Sequence, residues 1–203
     1  MKKILAVVFS ILLPLTACAE KFEEDKHYKV LPIAATKTPE VKEFFSFYCP
    51  HCFAFEPYID TIKKSLPADV KFSKSHVDFM PRNNREVAQG LSKTMGALQI
   101  LKQEEKAVSA IFNHIHTDRK SFSSMTDVRG KVVGAGVDPK KYDAAYNSFV
   151  VSGMANQMKN EQKKFRIDSV PTVVVNGKYK VILGSVKTEA AYAELVNYLL
   201  TKK

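Results

Sequence analysis

Two hydrophobic periodicities alternate along the chain. VKEFFSFY (41–48) is nearly continuous in apolar and aromatic character, the pattern of a central strand covered on both faces. Pro50 follows where a helix can open, because a first-turn residue has no use for the missing N–H. CFAFEPYIDTIKKSL (52–66) then carries helical spacing. A kink is expected at Pro57, and the helix should stop near Pro67-Ala68-Asp69. VKFSKSHVDF (70–79) reads as the next strand. Strand, helix, strand makes a βαβ unit with a parallel pair.

From Asn83 to about Arg166 helical spacing dominates, first in NNREVAQGLSKTMGALQILKQEEKAVSAIFNHI and then in TDVRGKVVGAGV behind a Ser/Thr/Asp cap cluster. Asp138-Pro139 opens a third stretch, KKYDAAYNSFVVSGMANQMKNEQKKF. In it Tyr142, Ala145, Tyr146, Phe149 and Val150 fall on one helical face, which is expected to be core. Strand character returns in PTVVV (171–175) and KYKVIL (178–183), joined by Asn176-Gly177 as a two-residue hairpin loop. Thr188 and Glu189 open an amphipathic helix, EAAYAELVNYLL. The fold class is therefore α/β: βαβ and ββα halves, with a helical insertion over about 83–166 inside one domain of residues 20–203.

The first nineteen residues stand apart. Lys2 and Lys3 precede the twelve-residue apolar run ILAVVFSILLPL (4–15), and Ala17-Cys18-Ala19 supplies small residues before a polar start. That is a secretory leader, with an apolar run too short to span a bilayer. Cleavage after Ala19 fits the A-x-A pattern and leaves a soluble exported protein. The alternative takes Leu15-Thr16-Ala17-Cys18 as a lipobox and Cys18 as a lipidated first residue. HYKVLP follows within ten residues, which leaves little tether and favours the first reading. Either route exports the domain to a compartment where disulfides persist.

Removing nineteen residues from 203 leaves 184, and losing Lys2 and Lys3 takes the formal charge from +10 to +8. The chain is long enough for one well-buried core. Its basic clusters are KNEQKKFR (159–166), VKFSK (70–74) and the terminal Lys pair. All fall on segments with apolar periodicity, and no aromatic-interleaved basic tract is present. A solvated basic face is expected, not a nucleic-acid surface.

After cleavage at Ala19, Cys49 and Cys52 are the remaining cysteines. A disulfide closing so small a loop constrains the unfolded chain by about 2 kcal/mol, against about 3 for fifteen residues. Chemistry is the better reason for the pair. At a strand-to-helix junction the Cys49 sulfur would face the unsatisfied N–H groups and positive end of the helix. A protonated His51 would add a second positive influence, both favouring the thiolate. Cys52, a turn further on, would point into the protein. A Cys49 pKa about three units below neutral would favour the reduced pair by about 4 kcal/mol, or on the order of 90 mV toward a stronger oxidant. Glu43 shares a strand path with Phe45 and Phe47 leading to Cys49, so a buried carboxylate is expected below the pair, with Lys74 as its partner.

The motif FxCPHCxxFE, the later Val-Pro before a strand, KSLPADVKFSKSHVDFM, KYDAAYNSFVV and VPTVVVNGKYKV together resemble the DsbA family of periplasmic thiol:disulfide oxidoreductases across the whole mature chain. The resemblance implies a thioredoxin-like fold and donation of the Cys49–Cys52 disulfide to reduced, newly exported proteins. It implies reoxidation by a DsbB-type quinone-linked membrane protein, and no cofactor beyond the redox-active disulfide. Cys49 would be the attacked sulfur, Cys52 its partner, and Pro50-His51 the tuning dipeptide. Pro171 would be the family's cis-proline, with the backbone at Val170 pairing to extended substrate. The resemblance supports the Glu43–Lys74 pairing and adds Glu56 as a nearby charge. We expect a monomer that binds neither nucleic acid nor metal.

Three other readings compete. A reductase or isomerase would favour a less oxidising pair, and the isomerase design usually adds a dimerisation domain that is absent before the first strand. A metal-binding module would use Cys49, His51 and Cys52 with His114 and His116. However, residues two apart on a helix face different sides, and a structural zinc site takes four ligands. A catalytically silent peptide-binding relative is the third.

Overall fold

Residues 21–202 are described by a computed structural model; the leader 1–19, with both cleavage readings, lies outside them. Five strands form one mixed sheet in the order β1-β5-β4-β2-β3. They are β1 (Tyr28–Val30), β2 (Glu40–Phe45), β3 (Lys71–His76), β4 (Thr172–Val175) and β5 (Tyr179–Val181). β2 runs parallel to β3, with Glu43 opposite Lys74, and antiparallel to β4, with Glu43 opposite Val173. The expected βαβ unit is completed by α1 (Pro50–Ser65), which continues through Pro57.

Both faces of β2 are covered, as its apolar run requires. Val41 packs with Phe55, Ile59 and Ile62 of α1 and with Leu195 and Leu199 of α7 (Glu189–Thr201). Phe44 packs with Phe165, Ile167 and Val174. β2 ends at Phe45, three residues earlier than its apolar pattern suggests. Ser46 to Tyr48 leave the ladder to make a turn, with the Cys49 N–H donating to Ser46 O at 3.0 Å.

Between β3 and β4 lie α2 (Arg85–Leu101), α3 (Glu104–His116), α4 (Met125–Gly134), α5 (Pro139–Tyr146) and α6 (Phe149–Lys164). The first helical stretch divides where Lys102 takes a left-handed conformation (φ 54°) and its N–H bonds back to Gln99 and Leu98 carbonyls, which closes α2. α4 opens with a capping box between Ser124 and Asp127. Lys42 on β2 meets Glu161 on α6 at 2.7 Å, both mostly buried. Among the described residues no helix is long and apolar enough to cross a membrane.

Three sequence expectations need correction. The apolar face over 142–150 does not exist as one surface. α5 ends at Tyr146, and the Ser148 hydroxyl accepts from the Val151 N–H to start a new helix, which resets the helical phase. Tyr142 is buried, but Phe149 is 92% exposed and Val150 62%, while Val151 takes the core position. The hairpin loop holds three residues, not two, since Val175 pairs with Tyr179. Asn176 and Gly177 take the positive φ that suits them (51° and 61°), and the extra residue, Lys178, offers its carbonyl to the Leu31 N–H at 2.8 Å. Finally, the VKFSK cluster is not a solvated face throughout: Lys74 is 7% exposed, held inside by two carboxylates.

Candidate functional site

Cys49 is the N-cap of α1. Its backbone is extended (φ −93°, ψ 112°), Pro50 occupies the first turn, and the Cys49 sulfur accepts the Cys52 N–H at 3.2 Å. This is the position where helix N–H groups lack partners and negative charge is favoured. The sequence places it there through two features. Ser46–Cys49 forms a turn out of β2, and proline cannot supply the N–H that an interior helix position would need. Both cysteines are free thiols, Cys49 4% exposed and Cys52 fully buried.

Their environments split their acidities. A hydrogen bond from the Cys52 thiol lowers the Cys49 pKa to about 7; the main-chain N–H groups of Cys52 and His51 add to this, against burial and the Glu43 carboxylate. Burial, together with the same Cys49–Cys52 contact, pushes Cys52 far up. His51 is exposed, and it favours the Cys49 thiolate through its main-chain N–H. The drop is smaller than the three units below neutral considered from sequence, because burial and Glu43 both oppose the thiolate.

Val170-Pro171 is cis, and the Cys49 thiol donates to the Val170 carbonyl at 3.3 Å. The loop before β4 thus touches the Cys49 sulfur. A cavity of about 250 Å³ beside Pro171 is lined by His51, Phe55, Tyr58, Leu183 and Tyr192. A second, of about 230 Å³, lies against Val170, Pro171, Thr172 and Leu183. Leu183, 52% exposed, borders both.

Below the thiols, Glu43 is fully buried on β2. Lys74 Nζ lies 2.9 Å from Glu43 Oε2 and 2.6 Å from Glu56 Oε1 of α1. Neither Glu43 oxygen receives a well-oriented hydrogen bond, so the contact with Lys74 is an ion pair by proximity. Burial raises the Glu43 pKa, with Lys74 opposing. For Lys74, burial opposes the charge, but Glu43 and Glu56 outweigh it and raise its pKa. The three expected residues therefore do come together. A cleft of about 860 Å³ between α1, β3 and α3 is lined by Glu56 and Lys74 and by neither cysteine.

The sequence reading missed His76 and Leu183, and it named His116 only as a candidate metal ligand. His76 sits buried, its ring 5.2 Å from Phe47 and stacked on it, with Nδ1 2.9 Å from Ser92 Oγ; burial lowers its pKa to about 3. His116 meets the Phe47 carbonyl at 2.8 Å, whereas His114 stacks on Phe122, so the two histidines do face apart. Leu183 carries no motif. Among the described residues no group of three or more His, Cys, Asp or Glu side chains converges as a metal site.

Known proteins share this sequence and fold. The DSBA-like thioredoxin domain family matches residues 40–195. The chain is 34% identical to the thiol:disulfide interchange protein DsbA of Escherichia coli K12, over the full length of both. The crystal structure of the disulfide oxidoreductase DsbA from Proteus mirabilis superposes with a TM-score of 0.82 at 34% identity, covering 89% of this chain and 98% of that one. A complex of the Proteus mirabilis protein with the non-covalently bound peptide PWATCDS superposes at 0.80, again at 34% identity, covering 89% and 99%. With the fold thioredoxin-like and the relatives aligned from end to end, the chain belongs to the DsbA-like thioredoxin-domain family and is a thiol:disulfide oxidoreductase.

Proposed function

We propose that the oxidised protein donates a Cys49–Cys52 disulfide to reduced, newly exported proteins. A substrate thiolate attacks the Cys49 sulfur. The Cys49–Cys52 bond breaks, and its electron pair leaves on Cys52, which takes up a proton. A second substrate thiolate then attacks its own sulfur in the mixed disulfide, and Cys49 departs as a thiolate. Two electrons have moved from substrate to the pair, and no other cofactor takes part. The observation that carries this reading is the division of labour at the helix start: the Cys49 sulfur caps α1 and accepts the Cys52 N–H at 3.2 Å, which favours its anion, while the Cys52 sulfur is fully buried, which favours its proton. A good leaving group at Cys49 favours release of oxidised substrate.

Val170 and Pro171 bind the substrate backbone, with the two flanking cavities taking side chains (about 250 and 230 Å³). The Proteus mirabilis complex with a non-covalently bound, cysteine-containing peptide supports binding of peptide substrate. Pro50, His51, Glu43, Glu56 and Lys74 tune the pair without touching substrate chemistry. The mature protein is one soluble periplasmic domain of residues 20–203, with the helical insertion of about 83–166, cleaved after Ala19 and monomeric. A DsbB-type quinone-linked membrane partner removes the two electrons. The mass of the mature N-terminus separates cleavage at Ala19 from lipidation at Cys18.

The test is direct. Oxidised protein mixed with a reduced, unfolded thiol protein should consume the substrate's free thiols one disulfide per turnover. Cys52→Ala should accumulate a mixed disulfide through Cys49, and Cys49→Ala should show no exchange. Substrate thiols left intact by the oxidised wild type would end the proposal.

A further inference from the structure

The peptide unit joining Phe47 to Tyr48 is held from both sides. Its N–H donates to the Ser46 hydroxyl at 3.2 Å. Its carbonyl accepts from His116 Nε2 at 2.8 Å, which requires that nitrogen to carry the proton. A peptide plane pinned at both ends cannot rotate without losing one bond, and this plane is two residues upstream of the Cys49 sulfur. His116 also reaches past the cysteines. Its ring stacks on Phe53, the residue after Cys52, with centroids 5.2 Å apart and planes 14° from parallel. One side chain therefore grips the backbone before Cys49 and the ring after Cys52.

His116 closes α3 in the helical block, while the residues it holds belong to the loop and helix that follow β2. The adjoining segment reinforces the grip: the Phe122 N–H donates to the Tyr48 hydroxyl at 2.9 Å, and His114 stacks on Phe122 with centroids 4.4 Å apart. Cys49 is set as an N-cap by its own backbone angles, so whatever fixes the entry to that residue fixes where its sulfur meets the Cys52 and His51 N–H groups.

We infer that His116 is a positioning residue for disulfide exchange, acting on Cys49 through the Phe47 carbonyl and using the helical block to hold the reactive turn. This inference rests on Cys49 and Cys52 being the reacting pair.

Two variants separate the hydrogen bond from the packing. In His116→Gln the side-chain amide can place a donor where Nε2 lies, while His116→Leu keeps bulk and loses the donor. The readouts are the thiolate absorbance titration of Cys49 and the single-turnover rate of oxidation of a cysteine-pair peptide, with thermal unfolding as a control. One net hydrogen bond supports a population shift of about fivefold. His116→Leu should therefore slow exchange by about fivefold and move the Cys49 pKa up by about 0.7 unit, with His116→Gln within about twofold of wild type. Equal rates and titrations in wild type and His116→Leu overturn the inference, as does an equal loss in His116→Leu and His116→Gln. A wild type that oxidises no peptide would instead overturn the function on which it rests.

Discussion

Replacing Cys52 by Ala removes the thiol whose hydrogen bond does most to lower the Cys49 pKa. A hydrogen bond to a charged group contributes about 1.5–3 kcal/mol, or on the order of one to two pKa units. The main-chain N–H groups of Cys52 and His51 remain in the variant, and Cys52 N–H still lies 3.2 Å from the sulfur, so they recover part of the loss. We expect the Cys49 pKa to rise from about 7 by about one unit. At pH 7 the thiolate fraction then falls from about one half to about one tenth. A more basic thiolate is also the better nucleophile, by about threefold per pKa unit at a Brønsted slope of 0.4–0.5. Attack by Cys49 on a small disulfide should therefore slow only about twofold, although thiolate falls about fivefold. The assay is absorbance at 240 nm against pH for both reduced proteins, with the rate of attack on a small aromatic disulfide in parallel. Because burial pushes Cys52 far up, the wild type should show a single thiolate step between about pH 4 and 10. An unchanged Cys49 midpoint in Cys52→Ala would refute the reasoning and assign the thiolate's stability to the helix N-terminus alone.

Lys74→Met leaves the fully buried Glu43 without its cation 2.9 Å away. It should cost about 3–5 kcal/mol in urea unfolding at pH 7, and adding Glu43→Gln should recover most of that; an unchanged urea midpoint in Lys74→Met would remove the ion pair from the account. His76 is kept neutral by burial, its pKa lowered from 6.5 to about 3. The unfolded chain binds that proton first, so stability present at pH 7 is lost as pH falls below 6.5, at up to about 1.4 kcal/mol per unit. Urea midpoints at pH 7, 6 and 5 should fall less steeply in His76→Phe, and parallel slopes would contradict this. Phe149→Ser should change stability by less than about 0.5 kcal/mol, whereas Val151→Ala should cost about 2 kcal/mol; similar thermal midpoints for the two would mean that the helix does not restart at Ser148.

The pattern of elements and the placing of Cys49 and Cys52 at a helix start were legible in the chain alone. Apolar runs, Pro50 after a strand and the Asn-Gly turn are local signals, and local backbone preference decides them. Glu43 stood out because an acid in an apolar run needs a reason, and Lys74 because a buried carboxylate needs a cation. The strand ends at Phe45 and the exposure of Phe149 were not legible. Each depends on where a hydroxyl, Ser46 or Ser148, captures a backbone N–H, which shifts the phase of all that follows. The contact that His116 makes and the place of Leu183 had no signature, since their partners lie 69 residues away at Phe47 or across a cavity at Pro171. The chain by itself thus determined that two cysteines flank the start of a helix. Only the tertiary structure decided how far the Cys49 thiolate is stabilised, because that balance sums the Cys52 thiol, burial and the Glu43 charge, groups whose distances no sequence spacing sets.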